Sequence, residues 1–272
     1  MPVLVRPDGA VQVGWDPRRA VLVRPPRGLT TGGLAALLRA MQSRTSLAEL
    51  HRQAADHGPV DAGELADLIA QLVDAGVATR GHPQRRRWRS PTIQVHGRGP
   101  LSDLLAEALP CSGCRIRRTS QSHATPTPLG THLVLLSDYL VADPRMLRDL
   151  HSEGVPHLPV RVRDRVGLVG PLVIPGVTSC LGCADLHRCD RDAAWPAVAA
   201  QLRDTVGVAD RATLMATAAL ALSQVNRVIA AVRGTEAPGP RPPAALNATL
   251  EFDLHAGSIV ARHWPRHPLC SC

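Results

Sequence analysis

Lysine is absent from this chain of 272 residues, so all 31 of its Lys/Arg positions are arginine. Any mechanism that needs an amine on a flexible stem is thereby excluded. Arginine alone supplies the net charge of +8; scattered guanidinium groups hint at an acidic partner without defining one. Aromatic residues make up 2% of the chain, with one Tyr and one Phe, so the core has to be built from Val, Leu and Ala. The opening MPVLVRPDGA has no apolar run of the kind a signal peptide needs, and a cytoplasmic location is expected. The most apolar stretch, Ala212 to Val232, is interrupted by Gln224, Asn226 and Arg227, which favours a buried helix over a membrane span. Seven cysteines, an odd number, favour metal ligation in a reducing compartment over disulfides.

What is present is organised around GVTSCLGCADLHRCDRDAAWP, Gly176 to Pro196. Cys180 and Cys183 stand as C-x-x-C, the spacing at which two thiolates on one tight turn share a metal. The chain ends HPLCSC, which places Cys270 and Cys272 at the last positions. Together the four sulfurs would complete a closed, structural Cys₄ zinc site. The alternative is that Cys180 and Cys183 are small buried hydrophobes and the tail frays. A second C-x-x-C, Cys111 and Cys114, reads as small buried residues where a strand begins. Cys189 is a lone thiol whose neighbours Asp190 and Asp192 disfavour a thiolate.

The first 80 residues read as three short strands followed by three helices. The strands are Val3–Arg6, Val11–Gly14 and Ala20–Val23, with Asp8-Gly9 and Asp16-Pro17 at the turns. Leu34, Leu37, Leu38 and Met41 mark the first helix. Ser46 caps the second, with Glu49 at the capping-box position. Asp61 caps the third, which carries Leu65, Leu68, Ile69 and Leu72 on one stripe and stops at Gly76, with Val77–Thr79 returning as a strand. This order is winged-helix-like, which raises nucleic acid as a ligand. The third helix, however, bears Asp61, Glu64, Asp67 and Asp74 and no Arg, so it would repel phosphates and DNA is not expected.

Residues 81–90, GHPQRRRWRS, read as a basic linker. Beyond it strands and helices alternate through residues 91–272, predicting an α/β domain with a parallel sheet and crossover helices. Strands are expected at Thr92–His96, around Ile116, at His132–Leu136, Val155–Val162 and Arg165–Val173. A loop at Pro238–Pro243 leads to a last antiparallel pair, Leu246–Phe252 with Ser258–His263. Gly97-x-Gly99, after a strand and before a helix, opens like a dinucleotide phosphate loop, but Ser102 stands where the third glycine belongs. No Asp or Glu lies between Arg115 and Thr131 to hold a ribose hydroxyl. Asp138, at the end of a parallel strand, is placed either for a metal or phosphate role or to cap its own turn.

The run PLVIPGVTSCLGCADLHRCDRDAAWPAVAAQL, with HPLCSC at the end, resembles the ThiF-type, ubiquitin-activating-like proteins of peptide cyclodehydratase systems. VQVGWDPRRAVLV and the three helices after it look like the PqqD-like element that binds leader peptides of ribosomally made natural products. The resemblance implies a Rossmann-like fold with a Cys₄ zinc. It also implies a leader peptide added as a strand beside Ala20–Val23, touching Val21 and Val23 and the third helix at Glu64, Leu65, Asp67, Leu68 and Leu72. Adenylating relatives use a glycine-rich loop, a ribose acid, an arginine, a lysine and an aspartate. Here Gly97, Gly99 and Asp138 are what remains, a vestigial nucleotide site for which ATP is not expected. The expected function is an adaptor without catalysis of its own, presenting a precursor peptide to a YcaO-type cyclodehydratase, with a homodimer allowed and no membrane partner. An active ATP-dependent adenylyltransferase and a winged-helix nucleic-acid regulator are the alternatives.

Overall fold

Asp8 and Gly9 close the first turn of the chain. The Asp8 carboxylate accepts the Ala10 N–H at 3.2 Å, and Gly9 takes the positive φ (78°) that a side chain would resist. The turn joins β1 (Val3–Val5) to β2 (Val11–Val13), and β3 (Val21–Val23) completes an antiparallel sheet in the order β1-β2-β3. In this computed structural model the described residues are 1–43, 45–78, 90–120, 130–234 and 242–272. The chain separates into two compact units, Met1–Arg86 and Arg87–Cys272. The expected linker lies outside the described residues except for Ser90, as do Thr79 and positions 238–241 of the expected loop.

Three helices cover the inner face of the small sheet. Thr30, Ser46 and Asp61 cap α1 (Thr31–Ala40), α2 (Leu47–Ala55) and α3 (Ala62–Asp74), each accepting a backbone N–H of the first turn. The Glu49 carboxylate does not close a reciprocal capping box; it accepts from Arg52 and Gln53. Val11, Val13, Leu34, Leu50, Leu65 and Leu72 form the core of this unit, each side chain contributing about 2 kcal/mol by leaving water. The strand expected over Val77–Thr79 does not form at Val77 or Ala78: both N–H groups fold back onto the Leu72 carbonyl after Gly76 ends the helix.

The second unit carries a seven-stranded sheet in the order β10-β9-β8-β7-β6-β4-β5. Its strands are β4 (Thr92–His96), β5 (Arg115–Thr119), β6 (Thr131–Ser137), β7 (His157–Arg163), β8 (Val166–Val169), β9 (Ala248–Asp253) and β10 (Ser258–His263). The expected parallel pairing holds for β5, β4, β6 and β7, and the expected last antiparallel pair is β9 with β10; β7 with β8 and β8 with β9 also pair antiparallel. The switch has a local cause. Asp164 and Arg165 both adopt positive φ (50° and 67°), the conformation of a two-residue hairpin, which cannot make a parallel crossover. The strand expected over Arg165–Val173 accordingly ends at Val169, before Gly170 and Pro171.

Side chains alternate across the sheet. Ile93, Val95, Leu133, Leu135, Leu158 and Val160 pack on one face with α4 (Pro100–Ala108) and α8 (Arg211–Val232). Helix α8 has the length and composition of a membrane span, but its face from Leu214 to Ile229 is committed to this core. The approach is close: a Cβ on Gly167 would lie 2.1 Å from Thr217 Oγ1. The opposite face packs Val134 and Leu136 against α5 (Pro144–Ser152) and against the cysteines that open α6 (Leu181–Cys189). Helix α7 (Trp195–Leu202) follows.

Candidate functional site

Cys180 occupies the N-cap of α6, where its Sγ accepts the Cys183 N–H at 3.4 Å. Thr178 and Asn247 build the turn before it. Thr178 Oγ1 accepts the Ile174 N–H at 2.9 Å, and Asn247 Oδ1 accepts both the Ser179 N–H (2.8 Å) and its hydroxyl (3.1 Å). The chain terminus returns to this turn, so that Cys180, Cys183, Cys270 and Cys272 form one group. Their Sγ–Sγ separations are 3.8 Å (Cys180–Cys183), 3.5 Å (Cys180–Cys270) and 3.4 Å (Cys183–Cys272). Disulfides would be far shorter, whereas a tetrahedron of sulfurs about 2.3 Å from a zinc ion has edges of about 3.8 Å. The donor set and spacing fit a closed zinc centre, with no position left for substrate.

The thiols are not equivalent. Burial pushes Cys180 and Cys272 up. Burial also acts on Cys183, but backbone N–H donation around it, His267 first, brings it down to about 7. Its thiolate, the form that binds a metal, is thereby favoured. His267 also knots the tail. Its Nδ1 accepts the Leu269 N–H at 3.1 Å and its Nε2 donates to Asp190 at 2.9 Å, leaving the ring 7% exposed.

Asp138 caps rather than reaching outward. The residue is buried at the end of β6 with φ 72°, and its carboxylate accepts the Leu101 N–H at 2.9 Å and the Ser102 N–H at 3.1 Å. These are the first amides of α4, the donors that a phosphate would take in a nucleotide fold. Gly97 and Gly99 permit the arrangement. A Cβ on Gly99 would lie 2.7 Å from Asp138 Oδ1, and one on Gly97 2.4 Å from the Ser137 carbonyl. Ser102, in place of a third glycine, ties the loop by accepting the Gly99 N–H (3.0 Å) and donating to its carbonyl (2.7 Å).

Among the described residues of the first unit, β3 is an edge. The hydrogen bonds Gly14 N–H to Pro2 and Arg6 N–H to Ala10 give β2 its phase: its even residues face β1 and Val11 and Val13 face β3. The register then turns the backbone of Val21 and Val23 toward β2, with Val23 buried and Val21 half-buried. The outward backbone groups belong instead to Leu22, whose side chain is 55% exposed. Val21 and Val23, expected to touch the peptide, therefore turn their main-chain groups to β2 and not to the open side. Leu65, Leu68 and Leu72 are also committed elsewhere, buried in the unit's own core, because the stripe that would line a groove is the one the sheet needs. Glu64 accepts the Arg27 N–H at 3.0 Å, and Asp67 is exposed.

Cys111 is exposed in the short turn Leu109–Ser112, contrary to the expected burial, while Cys114 is buried with its Sγ 3.1 Å from the Leu109 carbonyl. Sequence reasoning missed Asn247, His267 and Arg161. A residue in a loop far from the cysteines gives no local sign of holding their turn, although the Asn247 φ of 54° is a conformation that Asn tolerates.

No protein-family model matches the sequence, and no curated protein matches it. The likeness is one of fold. A heterocyclase in complex with substrate and cofactor superposes with a TM-score of 0.70 at 15% identity, and the heterocyclase TruD with 0.68 at 17%. Each match covers 99% of this chain, which spans 38% and 41% of those two proteins, about two fifths. E. coli MccB, in complex with AMPCPP and MccA, superposes with a TM-score of 0.60 at 10% identity, over 99% of this chain and 96% of MccB. The chain shares the fold of these proteins.

Proposed function

We propose that the chain is a leader-peptide adaptor in the making of a ribosomally synthesised natural product. Residues 1–80, as a PqqD-like unit, take the peptide as a strand added to β3, and residues 91–272 form a ThiF-like scaffold stapled by structural zinc. A separate YcaO-type cyclodehydratase supplies the ATP-dependent chemistry, in the cytoplasm. The observation that carries the adaptor reading is the Asp138 carboxylate seated on the Leu101 and Ser102 amides. A fixed internal anion at that place competes with the phosphate that an adenylating site must hold. The missing lysine and ribose acid point the same way. For the peptide, the open edge at Leu22 supplies main-chain partners, and the acidic exposed positions of α3 suit basic peptide residues.

An active adenylyltransferase is the second reading, favoured by the match to MccB along nearly its whole length. Pyrophosphate exchange with the peptide present separates the two. The peptide site is tested by calorimetry with a candidate precursor peptide. Leu22→Pro removes the outward donor at a place where an edge strand tolerates proline. It should weaken binding at least tenfold without altering the zinc content, and unchanged affinity would rule out strand addition at β3.

A further inference from the structure

Helix α6 carries side chains of ligand type at both ends. Cys180 and Cys183 open it, and His187 and Asp190, one turn apart, close it. The tail repeats the pairing, bringing Cys270 and Cys272 to the first end and His267 to the second. His187, Asp190 and His267 thus form a second group, each offering one ligand atom within 4.8 Å of the others. His267 is buried, His187 half-buried and Asp190 exposed, so the group is open to solvent on one side.

The hydrogen bonds fix which nitrogens are free. His187 Nε2 lies 3.1 Å from the Pro265 carbonyl, which can only accept, so Nε2 carries the proton and Nδ1 of the neutral ring is bare. That bare Nδ1 faces Asp190 Oδ2 at 3.9 Å. Two lone-pair groups are turned to each other with no proton between them, an arrangement that a cation stabilises. A ring N–H held by a backbone carbonyl is also how proteins set the tautomer of a metal-ligating histidine. His267 Nε2 stands on the other side of the same oxygen, at 2.9 Å. The two imidazole centroids are 4.8 Å apart with the rings at 76°. Two imidazoles bound to one ion through nitrogens about 2.0–2.1 Å from it have their centroids about 5 Å apart.

We propose that His187 Nδ1, the Asp190 carboxylate and His267 Nε2 bind a divalent first-row metal ion, with its remaining position open to water. Imidazole and carboxylate donors suit zinc, cobalt or nickel, and three ligands with an open position contrast with the closed set of four cysteines. The ion takes the place of the His267 Nε2–H. That proton moves to Nδ1, which releases the Leu269 N–H to solvent at an exposed residue. The lost hydrogen bond keeps the site weaker than the Cys₄ centre. His187 lies four residues beyond Cys183, about 6 Å along the helix. A Cys₄ zinc, whose thiolates outnumber its positive charges, attracts a second cation at that distance. The site does not depend on the adaptor reading.

The test titrates the zinc-loaded full chain with cobalt chloride, followed by visible spectroscopy and elemental analysis. One equivalent of cobalt is expected, at micromolar affinity, beside the zinc already held and without the sulfur-to-cobalt absorption of a thiolate site. His187→Ala removes one ligand, and Asp190→Asn keeps an acceptor for the His267 N–H while losing the charge. Each should weaken cobalt binding at least tenfold and leave the zinc content unchanged. Absence of saturable cobalt binding below millimolar overturns the assignment, as does undiminished binding by either variant. Sulfur-to-cobalt absorption in place of a second equivalent puts the metal at the cysteines alone and overturns it too. Cobalt binding that both variants lose, in a protein that holds no zinc, would uphold this site and contradict only the Cys₄ reading.

Discussion

Leu101 donates its backbone N–H to the carboxylate of Asp138 at 2.9 Å, across 37 residues of sequence. With the Ser102 N–H on the other oxygen, one side chain serves two of the three unpaired N–H groups that begin α4, Pro100 having none. Hydrogen bonds to a carboxylate are worth roughly twice those between neutral groups, so the cradle is both filled and stabilised.

Replacing Asp138 with Ala should cost about 3 kcal/mol in urea unfolding of the second unit, above the usual cap value because the site is buried and φ is positive. Asp138→Asn keeps an acceptor and tolerates the backbone, and should cost about 1 kcal/mol. Equal losses for the two variants would show that the charge and its two bonds are not what holds the turn.

Changing Cys272 to Ser removes one corner of the sulfur tetrahedron. Elemental analysis should show zinc lost or reduced, and the thermal midpoint of the second unit should fall by roughly 10 °C while the first unit is unaffected. His267→Ala leaves all four sulfurs but unties the tail from Asp190 and Leu269; it should retain zinc at rest and release it faster to a chelator. Full-length protein purified without chelator and free of zinc would contradict the metal assignment.

His157 lies buried between sheet and helix, with Nδ1 at 3.1 Å from the Val155 carbonyl and no partner for Nε2. Burial pushes its pKa down to about 4. The folded state therefore resists the proton that the unfolded chain accepts near pH 6.5. Its neutral form supports full stability above that pH, and stability declines as pH falls from 6.5 toward 4, by at most about 3 kcal/mol, then levels. His157→Phe should flatten that limb of the stability curve; an unchanged acid limb would exclude His157 as its source.

Much of this was legible in the sequence because it was local. The caps Thr30, Ser46 and Asp61 follow from one turn of helix, and the burial of Leu34, Leu65 and Ile93 follows from periodicity. The Cys₄ grouping was legible from C-x-x-C spacing and a terminal pair, since an all-thiolate zinc site needs four sulfurs whatever the loop between them. The last antiparallel pair, β9 with β10, was legible too; the turn from parallel to antiparallel at β7 and β8 was not, because Asp164 and Arg165 decide it through positive φ values that the Arg does not advertise. Nor was the phase of β3: a shift of one residue exchanges Val21 for Leu22, and hydrogen-bond direction leaves no trace in composition. Arg161 reads in HLPVRVR as an ordinary strand arginine; only the packing around it makes it a buried charge.

The central claim is that the phosphate position of this fold is already occupied by Asp138, leaving the chain a scaffold. Calorimetric titration of Mg-ATP into the zinc-loaded full chain, with pyrophosphate exchange followed in the same preparation, tests it most directly. The expected result is no saturable heat below millimolar nucleotide and no exchange. Micromolar binding that disappears in Asp138→Ala, accompanied by exchange, would contradict the adaptor reading and make the chain an adenylating enzyme.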